Sequence, residues 1–236
     1  MDTLSQRKHR VPTDFNRVAH RYDLLNSFNP GYSKHLRWSA ERMDLAPKAR
    51  VLDLCCGTGL STQALVHHYP AADVVALDGS EGMLEVARKK KRLSRVRWIH
   101  GNAMAPGEAG VEGPFDGILM AYGIRNMPDP DLCLQRLRKL LRPGGTIAFH
   151  EYSVADSRLA KTVWNAVAGT VIIPFGVLAT RNAELFRYLR HSVNHFDGTS
   201  QFRTRLARAG FVNVVIRPMD GWQRGILHTF LARKPL

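Results

Sequence analysis

Apolar residues recur along the chain in two rhythms, and the change between them predicts the architecture. Phe15, Val18, Ala19, Tyr22 and Leu25 fall at helical spacing, which predicts an amphipathic helix over 13–28 with Thr13 or Asp14 as its cap. A second helix is expected from Ser33 to Met43. Past residue 50 the apolar residues gather into short runs instead. "VLDL", "ADVVALD", "VRWIHGNA", "FDGILMAYG" and "TIAFHEYS" predict five strands. Helices are expected between them: one from near Ser61, one in "GSEGMLEVARKKKRL" capped by Ser80, and one begun by Asp129 or Asp131 and ended by "RPGG" at 142–145. "TSQFRTRLARAG" predicts a later helix stopped by Gly210, and "VNVVIRP" and "GILHTFLARK" predict two closing strands. Strand–helix alternation predicts a parallel α/β sheet with helices on both faces. Two consecutive strands at the end predict an antiparallel hairpin at one edge.

The stretch 163–180, "VWNAVAGTVIIPFGVLAT", is uncharged but holds Asn165, Gly169, Pro174 and Gly176. Those residues make it a poor spanning helix, so a buried segment or an apolar lid is expected. The chain has 236 residues, 44% of them hydrophobic, which suffices for one core without demanding two domains. The expected organisation is an N-terminal arm and helical cap over 1–44 and a main domain over 45–236, with 163–200 as the lid insert.

Net charge is +14, and lysines and arginines crowd into 88–97. Such a field attracts nucleic acid or an anionic membrane surface. The same residues near a helix C-terminus favour its dipole, and a charge block alone names no partner. The opening "MDTLSQRKHR" is polar and basic, so no signal peptide is expected. The three cysteines, Cys55, Cys56 and Cys133, form no metal spacing, and their odd number argues against a disulfide framework. A cytoplasmic protein without a metal fits, with peripheral contact at the membrane's inner face left open.

The chemistry-bearing unit is "DLCCGTG" at 53–59, with Asp78 ending the next strand. Gly57 and Gly59 allow a tight turn and a close backbone approach to a ligand. Asp78 can accept both hydroxyls of a ribose, and Gly79 follows it. A nicotinamide dinucleotide wants a third glycine where Thr62 stands, so that its pyrophosphate can rest on the helix N-terminus. Asp53 before the turn suits a ligand with a cationic amine instead. S-adenosylmethionine has that amine, a ribose, a sulfonium and no phosphate. Asn102 and Ala103 end the third strand, where such enzymes grip the adenine, and Met83 can pack on that ring. Ala121 and Tyr122 end the fourth strand beside the same site. The pattern resembles the first motifs of class I methyltransferases.

Three stretches together resemble the ubiquinone/menaquinone C-methyltransferase family (UbiE type). They are "DFNRVAHRYDLLNSFNPGYSKHLRW", with Arg21, Tyr22, Asp23 and Asn26 at its core, "VLDLCCGTG", and "AYGIRNMPDPDLCLQRLRKLLRPGG". The resemblance implies a Rossmann-like, seven-stranded methyltransferase sheet. It implies S-adenosylmethionine as donor, S-adenosylhomocysteine as product and a quinol ring as acceptor. It places cofactor contacts at Tyr22, Thr58, Asp78, Asn102 and Ala103. The chain departs from the family at Cys55-Cys56, at "HFDGTSQF", and at Ala121-Tyr122-Gly123, where the family has Ser-Phe-Gly. The family ending near H-x-G-Y-K becomes "LHTFLARK", with His228 corresponding.

Ring-carbon methylation needs an acceptor oxygen that has lost its proton. Arg125 is the expected catalytic residue, because a guanidinium stays charged and holds oxyanions. It would act on the phenolate or on a water that takes the proton, with Asn126 orienting it or the ring oxygen. The bland alternative for Arg125 is an ion pair with Asp129 or Asp23. His150 and Glu151 are alternative bases. Trp38 and Tyr22 sit on helices that would fold over the pocket, with Tyr22 facing the sulfonium. Methylation of oxygen, nitrogen or carbon on another aromatic metabolite shares all these features. The charge also raises RNA methylation, but "AYGI" stands where such enzymes carry [DN]-P-P-[YF], and nucleic acid is not the expected partner. A homodimer is compatible with the sequence.

Overall fold

The computed structural model describes residues 4–236, so residues 1–3 of the basic opening lie outside the described residues. Seven strands form one sheet in the order β3-β2-β1-β4-β5-β7-β6. β1 (Arg50–Leu54), β2 (Asp73–Asp78), β3 (Arg97–His100), β4 (Phe115–Ala121) and β5 (Leu141–Tyr152) pair in parallel. β7 (Leu227–Arg233) pairs antiparallel with both β5 and β6 (Val212–Pro218), which puts the expected hairpin at that edge with β6 outermost. β5 starts at Leu141, so "RPGG" lies in the strand and does not separate it from the helix before. The pairing absorbs it by a register shift between Phe115 and Gly117.

Helices α1 (Leu4–Ser27), α2 (Tyr32–Glu41), α3 (Leu60–His68), α4 (Glu81–Arg88) and α5 (Pro130–Leu140) precede β5. α6 (Arg158–Val167), a π-helical turn at Ala168–Ile172 and α7 (Ile173–Thr180) then run as one continuous helix. α8 (Ala183–Asn194) and α9 (Thr199–Arg208) complete the set. Leu52, Ile118, Met120 and Phe149 bury one sheet face against Leu134 of α5 and Phe202 of α9. Val51, Ala76, Leu119 and Ala148 bury the other against Leu36 of α2, Leu65 of α3 and Leu84 of α4. With both faces covered, the central strands read as unbroken apolar runs. Ser80 caps α4 by accepting from the Met83 N–H, and Asp129, not Asp131, caps α5 through the Leu132 N–H.

Two expectations change. α1 starts well before Thr13, and Pro12 lies inside it. A proline costs an isolated helix about 3 kcal/mol, but α1 packs on α4, α7 and α8, and the Pro12 ring rests on Gly79. Asp14 is therefore no cap; it is buried beside Arg7 at 3.5 Å. The apolar stretch is likewise not buried: Arg158–Thr180 is long and apolar enough to cross a bilayer by length and composition, and only 17% of its apolar window is covered. Pro174 in the first turn of α7 removes a backbone donor, which accounts for the π turn beside it. Gly176 brings this helix against α8, since a Cβ there would stand 2.4 Å from the Phe186 ring.

Candidate active site

Two cavities open at the C-terminal ends of β1, β2 and β4. The strand order switches sides there, and α/β sheets bind ligands at such a crevice. The first cavity has a volume of about 580 Å³. Strand ends supply its floor: Cys55 and Gly57 after β1, Asp78 and Gly79 after β2, Asn102 and Ala103 after β3, and Ala121 and Tyr122 after β4. Met83 lines it from α4. α1 lies across it with Lys8, Val11, Pro12, Phe15 and Tyr22.

Asp78 organises this floor. Its Oδ2 accepts from the Gly57 N–H and its Oδ1 from the Ser80 N–H, each at 2.8 Å. Burial holds its carboxyl above the usual range, and these backbone donors pull it back down. Each carboxylate oxygen keeps a second lone pair for a ligand hydroxyl. Asn102 accepts from the Met104 N–H through Oδ1 at 2.9 Å, which leaves its amide nitrogen to face a ring acceptor. A ribose-binding carboxylate, a polar amide and an apolar methionine around one cavity fit an adenosyl group.

Three expected cofactor residues stand off this lining. Asp53 is fully buried, and its Oδ2 accepts from Ser61 at 2.8 Å and Thr62 at 2.6 Å. It thus braces the first turn of α3, where a carboxylate complements the helix dipole. Burial pushes its pKa up to about 7, and its Oδ1 has no partner. Thr58 donates to Asp23 of α1 at 2.5 Å, so it ties the roof and leaves the ligand space alone. Gly59 starts α3 at φ 83°, where a Cβ would stand 2.9 Å from Trp98. Its demand comes from the turn and the packing.

The second cavity, about 490 Å³, is walled by helices. Phe28 and Leu25 face Val171, Ile172 and Phe175 across it, with Phe186 and Leu189 from α8. Polar groups reach it from Arg125, Tyr152, Tyr188 and Asn26. Phe15, Tyr22 and Tyr122 line both cavities, so the two spaces meet at these rings. Trp38 lines neither and lies tilted against His35 instead, the ring centroids 5.5 Å apart. Tyr122 and Cys55 both hold a left-handed backbone, φ 57° and 58°, at neighbouring strand ends. Such strain costs on the order of 1–3 kcal/mol per residue and gathers at ligand sites.

Arg125 is buried, and neither Asp129 nor Asp23 is its partner. Its Nη1 meets Glu151 Oε1 at 2.5 Å and the Tyr122 carbonyl at 3.0 Å, while Nε donates to Ser192 at 3.3 Å. The guanidinium also lies 5.9 Å from the Tyr152 ring centroid. Glu151 lines neither cavity. Burial pushes its carboxyl up, Arg125 pulls it down, and its Oε2 has no partner. It orients Arg125 and does not face the ligand space as a base. Asn126 does not touch Arg125: its Nδ2 donates to the Tyr122 carbonyl, its Oδ1 accepts from Tyr188, each at 3.0 Å, and it faces the first cavity. His150 is sealed in the core between Ser39 and Tyr122, and burial lowers its pKa to about 3, so it stays neutral and cannot collect a proton.

The Arg21-Tyr22-Asp23-Asn26 stretch acts as a strap. Arg21 donates to the Ala179 carbonyl, Asp23 pairs with Lys90 at 2.6 Å as well as with Thr58, and Asn26 lines the second cavity. Part of the basic stretch at 88–97 is thereby spent inside the molecule. Sequence reasoning missed the contributions of residues 8–12 because Pro12 reads as a break. It also missed the Arg125–Glu151 pair, since no local spacing links them.

Comparison with known proteins agrees with this geometry. The profile of the ubiE/COQ5 methyltransferase family matches residues 2–232. Demethylmenaquinone methyltransferase of Staphylococcus aureus is 31% identical over 220 residues, covering 91% of this chain and 90% of that protein. Among solved structures, a SAM-dependent methyltransferase from Thermotoga maritima superposes with TM-score 0.66 at 19% identity, over 95% of this chain and 99% of its own. Phosphoethanolamine N-methyltransferase 2 of Haemonchus contortus in complex with S-adenosyl-L-methionine gives TM-score 0.67 at 17% identity, over 94% of this chain and 57% of its own. Both solved structures share the fold of this chain.

Proposed function

We propose that this S-adenosylmethionine-dependent methyltransferase, which belongs to the ubiE/COQ5 methyltransferase family, methylates a ring carbon of a demethylmenaquinol-type quinol. The observation that carries the reading is the meeting of two unlike cavities at Phe15, Tyr22 and Tyr122. One has the carboxylate and strand-end backbone that an adenosyl group needs. The other is apolar enough for a prenylated ring and holds one buried cation, Arg125.

S-adenosylmethionine bound in the first cavity supplies an electrophilic methyl group. Asp78, Gly57, Gly79, Met83, Asn102, Ala103 and Ala121 hold it there, and Asp53, Thr58 and Gly59 shape the turn behind them. Tyr22 and Tyr122 line both cavities where they meet, and aromatic rings favour a neighbouring sulfonium. Arg125 holds the acceptor oxygen as an oxyanion once a water at the guanidinium has taken its proton, and Glu151 fixes the guanidinium for that task. As the methyl passes from sulfur to the ring carbon, that carbon gives up its own proton to restore the aromatic ring, again to water. A charge-assisted contact in a site closed to bulk solvent is worth more than in water. α1 and α7 wall the acceptor space and keep bulk water out. Alignment of two bound reactants can supply about 7–11 kcal/mol in ideal cases.

The second cavity opens beside an apolar surface. Leu24, Phe28, Val171, Phe175 and Leu178 are exposed there, and Phe28 and Phe175 meet edge-on with centroids 5.1 Å apart. Arg21 and Arg181 flank it in the chain. This composition suits peripheral contact with an anionic bilayer, from which a lipid quinol would enter. The deciding experiment is a methyl-transfer assay with demethylmenaquinol beside a panel of phenols, read by product mass spectrometry. C-methylated menaquinol is expected. O-methylated phenols alone would replace this reading with that of an enzyme for another aromatic metabolite.

A further inference from the structure

A polar chain runs through the core from the surface to the junction of the cavities. Arg42 donates to Thr229 Oγ1 at 2.9 Å, Thr229 meets Ser39 at 2.8 Å, Ser39 meets His150 Nδ1 at 2.8 Å, and His150 Nε2 meets the Tyr122 hydroxyl at 3.0 Å. Ser39, His150 and Thr229 are fully buried.

Arg42 sets the direction of this chain. A guanidinium has no acceptor, and a hydroxyl has one proton to give. Thr229 accepts from Arg42, and Ser39 is the other partner of its hydroxyl, so the arrangement that leaves no buried proton unplaced has Thr229 donating to Ser39. Ser39 then gives its own to His150 Nδ1. His150 is held neutral, so its one N–H lies on Nε2 and is donated to Tyr122. Tyr122 therefore accepts at its oxygen and must donate elsewhere. The Tyr152 ring, its centroid 5.1 Å from that of Tyr122, lines the second cavity, so a proton given on that side of Tyr122 is given toward the acceptor space.

We propose that Tyr122 is a specificity-determining donor to a ring oxygen of the methyl acceptor, aimed by the Arg42–Thr229–Ser39–His150 chain. The proposal deepens the quinol reading above and rests on it. The left-handed backbone at Tyr122, held by its N–H to the His150 carbonyl at 2.8 Å, fits a residue whose placement is specified against its own preference.

The test compares two prenylated naphthalenes, one with both ring hydroxyls and one lacking a single hydroxyl. The wild type is expected to favour the dihydroxy ring by about tenfold in kcat/KM, as one hydrogen bond allows. Tyr122→Phe and His150→Leu should each bring the two rings within about threefold, and the double variant should add nothing further. His150 acts through Tyr122, so its positioning role has its own readout. Nitrogen NMR of the wild type should find the proton of His150 on Nε2 and Nδ1 bare. A proton on Nδ1, or single variants that keep the wild-type preference, overturns the proposal. If the wild type methylates neither ring, the quinol reading falls and takes this inference with it. If it methylates the dihydroxy ring and Tyr122→Phe keeps the preference, only the inference falls.

Discussion

The two cavities are built from different materials. The first is made of strand ends, whose backbone positions the sheet fixes, and its polar groups lie in short runs of sequence: "DLCCGTG", "LDG" and "GNA". The second is made mostly of side chains from α1, the α6–α7 helix and α8, brought together by packing, with Tyr122, Arg125 and Tyr152 reaching it from strand ends. Strand ends thus build the proposed donor site. Packed helices, with one buried ion pair behind them, build most of the proposed acceptor site. A change on one side should therefore leave the other largely intact, and variants can press from either side.

The largest effect is expected at Arg125. Arg125→Ala should lower turnover by about a thousandfold, while affinity for S-adenosylhomocysteine by calorimetry changes by less than about threefold. It also leaves the Glu151 carboxylate buried and unpaired, so thermal stability should fall by about 3–5 kcal/mol. Arg125→Lys, which keeps the charge and loses the planar fork, should recover stability more than turnover. Equal losses of cofactor and acceptor binding would erase the distinction between the cavities.

Acidity should separate the two sides next. His150 beneath the junction and His228 on β7 are buried with pKa values lowered to about 3 and about 4. Their folded values lie below the ordinary histidine value near 6.5, so their stabilising share is complete above that pH and is lost as pH falls toward the folded values. Asp53 behaves in the opposite sense, because its raised value near 7 gives a share that is complete below the ordinary aspartate range and lost as pH rises through 7. The stability advantage of wild type over His150→Leu should therefore shrink by about 3 kcal/mol between pH 6.5 and 4. Melting curves of both proteins across that range check it, and a constant gap would refute it.

Asp78→Asn should weaken S-adenosylhomocysteine binding by about 10–100-fold and leave the quinol KM within about threefold. The smallest effect is expected at the exposed rim. Phe175→Ser should reduce flotation with anionic vesicles by about fivefold and raise the KM of a long-chain quinol more than that of a short-chain one. An unchanged partition would remove the bilayer from the account of the acceptor side.

Legibility in the sequence follows the same division. The sheet, its closing hairpin, the Ser80 cap and the floor around Asp78 were readable because each depends on local pattern: apolar runs, a glycine turn, a polar residue at a strand end. The expected cap at Thr13 or Asp14 misled, since tertiary contacts carry α1 through Pro12 back to Leu4. Asp53 misled as well, because a carboxylate before a glycine turn can serve the helix start as readily as a ligand, and only the hydroxyls of Ser61 and Thr62 decide between them. The pairing of Arg125 with Glu151 joins a turn after β4 to the end of β5, and no periodicity carries that information. For the stretch 163–180 composition left a buried segment and an apolar lid both open, because composition cannot tell an apolar face turned inward from one turned outward; only 17% of the apolar window in Arg158–Thr180 is covered.

The shared wall has a consequence for how the enzyme can change over time. Tyr22 and Tyr122 belong to both chambers. A substitution there that admits a new acceptor also reshapes the seat of the methyl donor. Lineages that shift substrate by mutating this pair must regain donor affinity elsewhere, whereas lineages that mutate the outer helices inherit the donor site intact. Changes on α7 and α8 therefore adjust the acceptor space alone, whereas a change at the tyrosine pair adjusts both chambers at once.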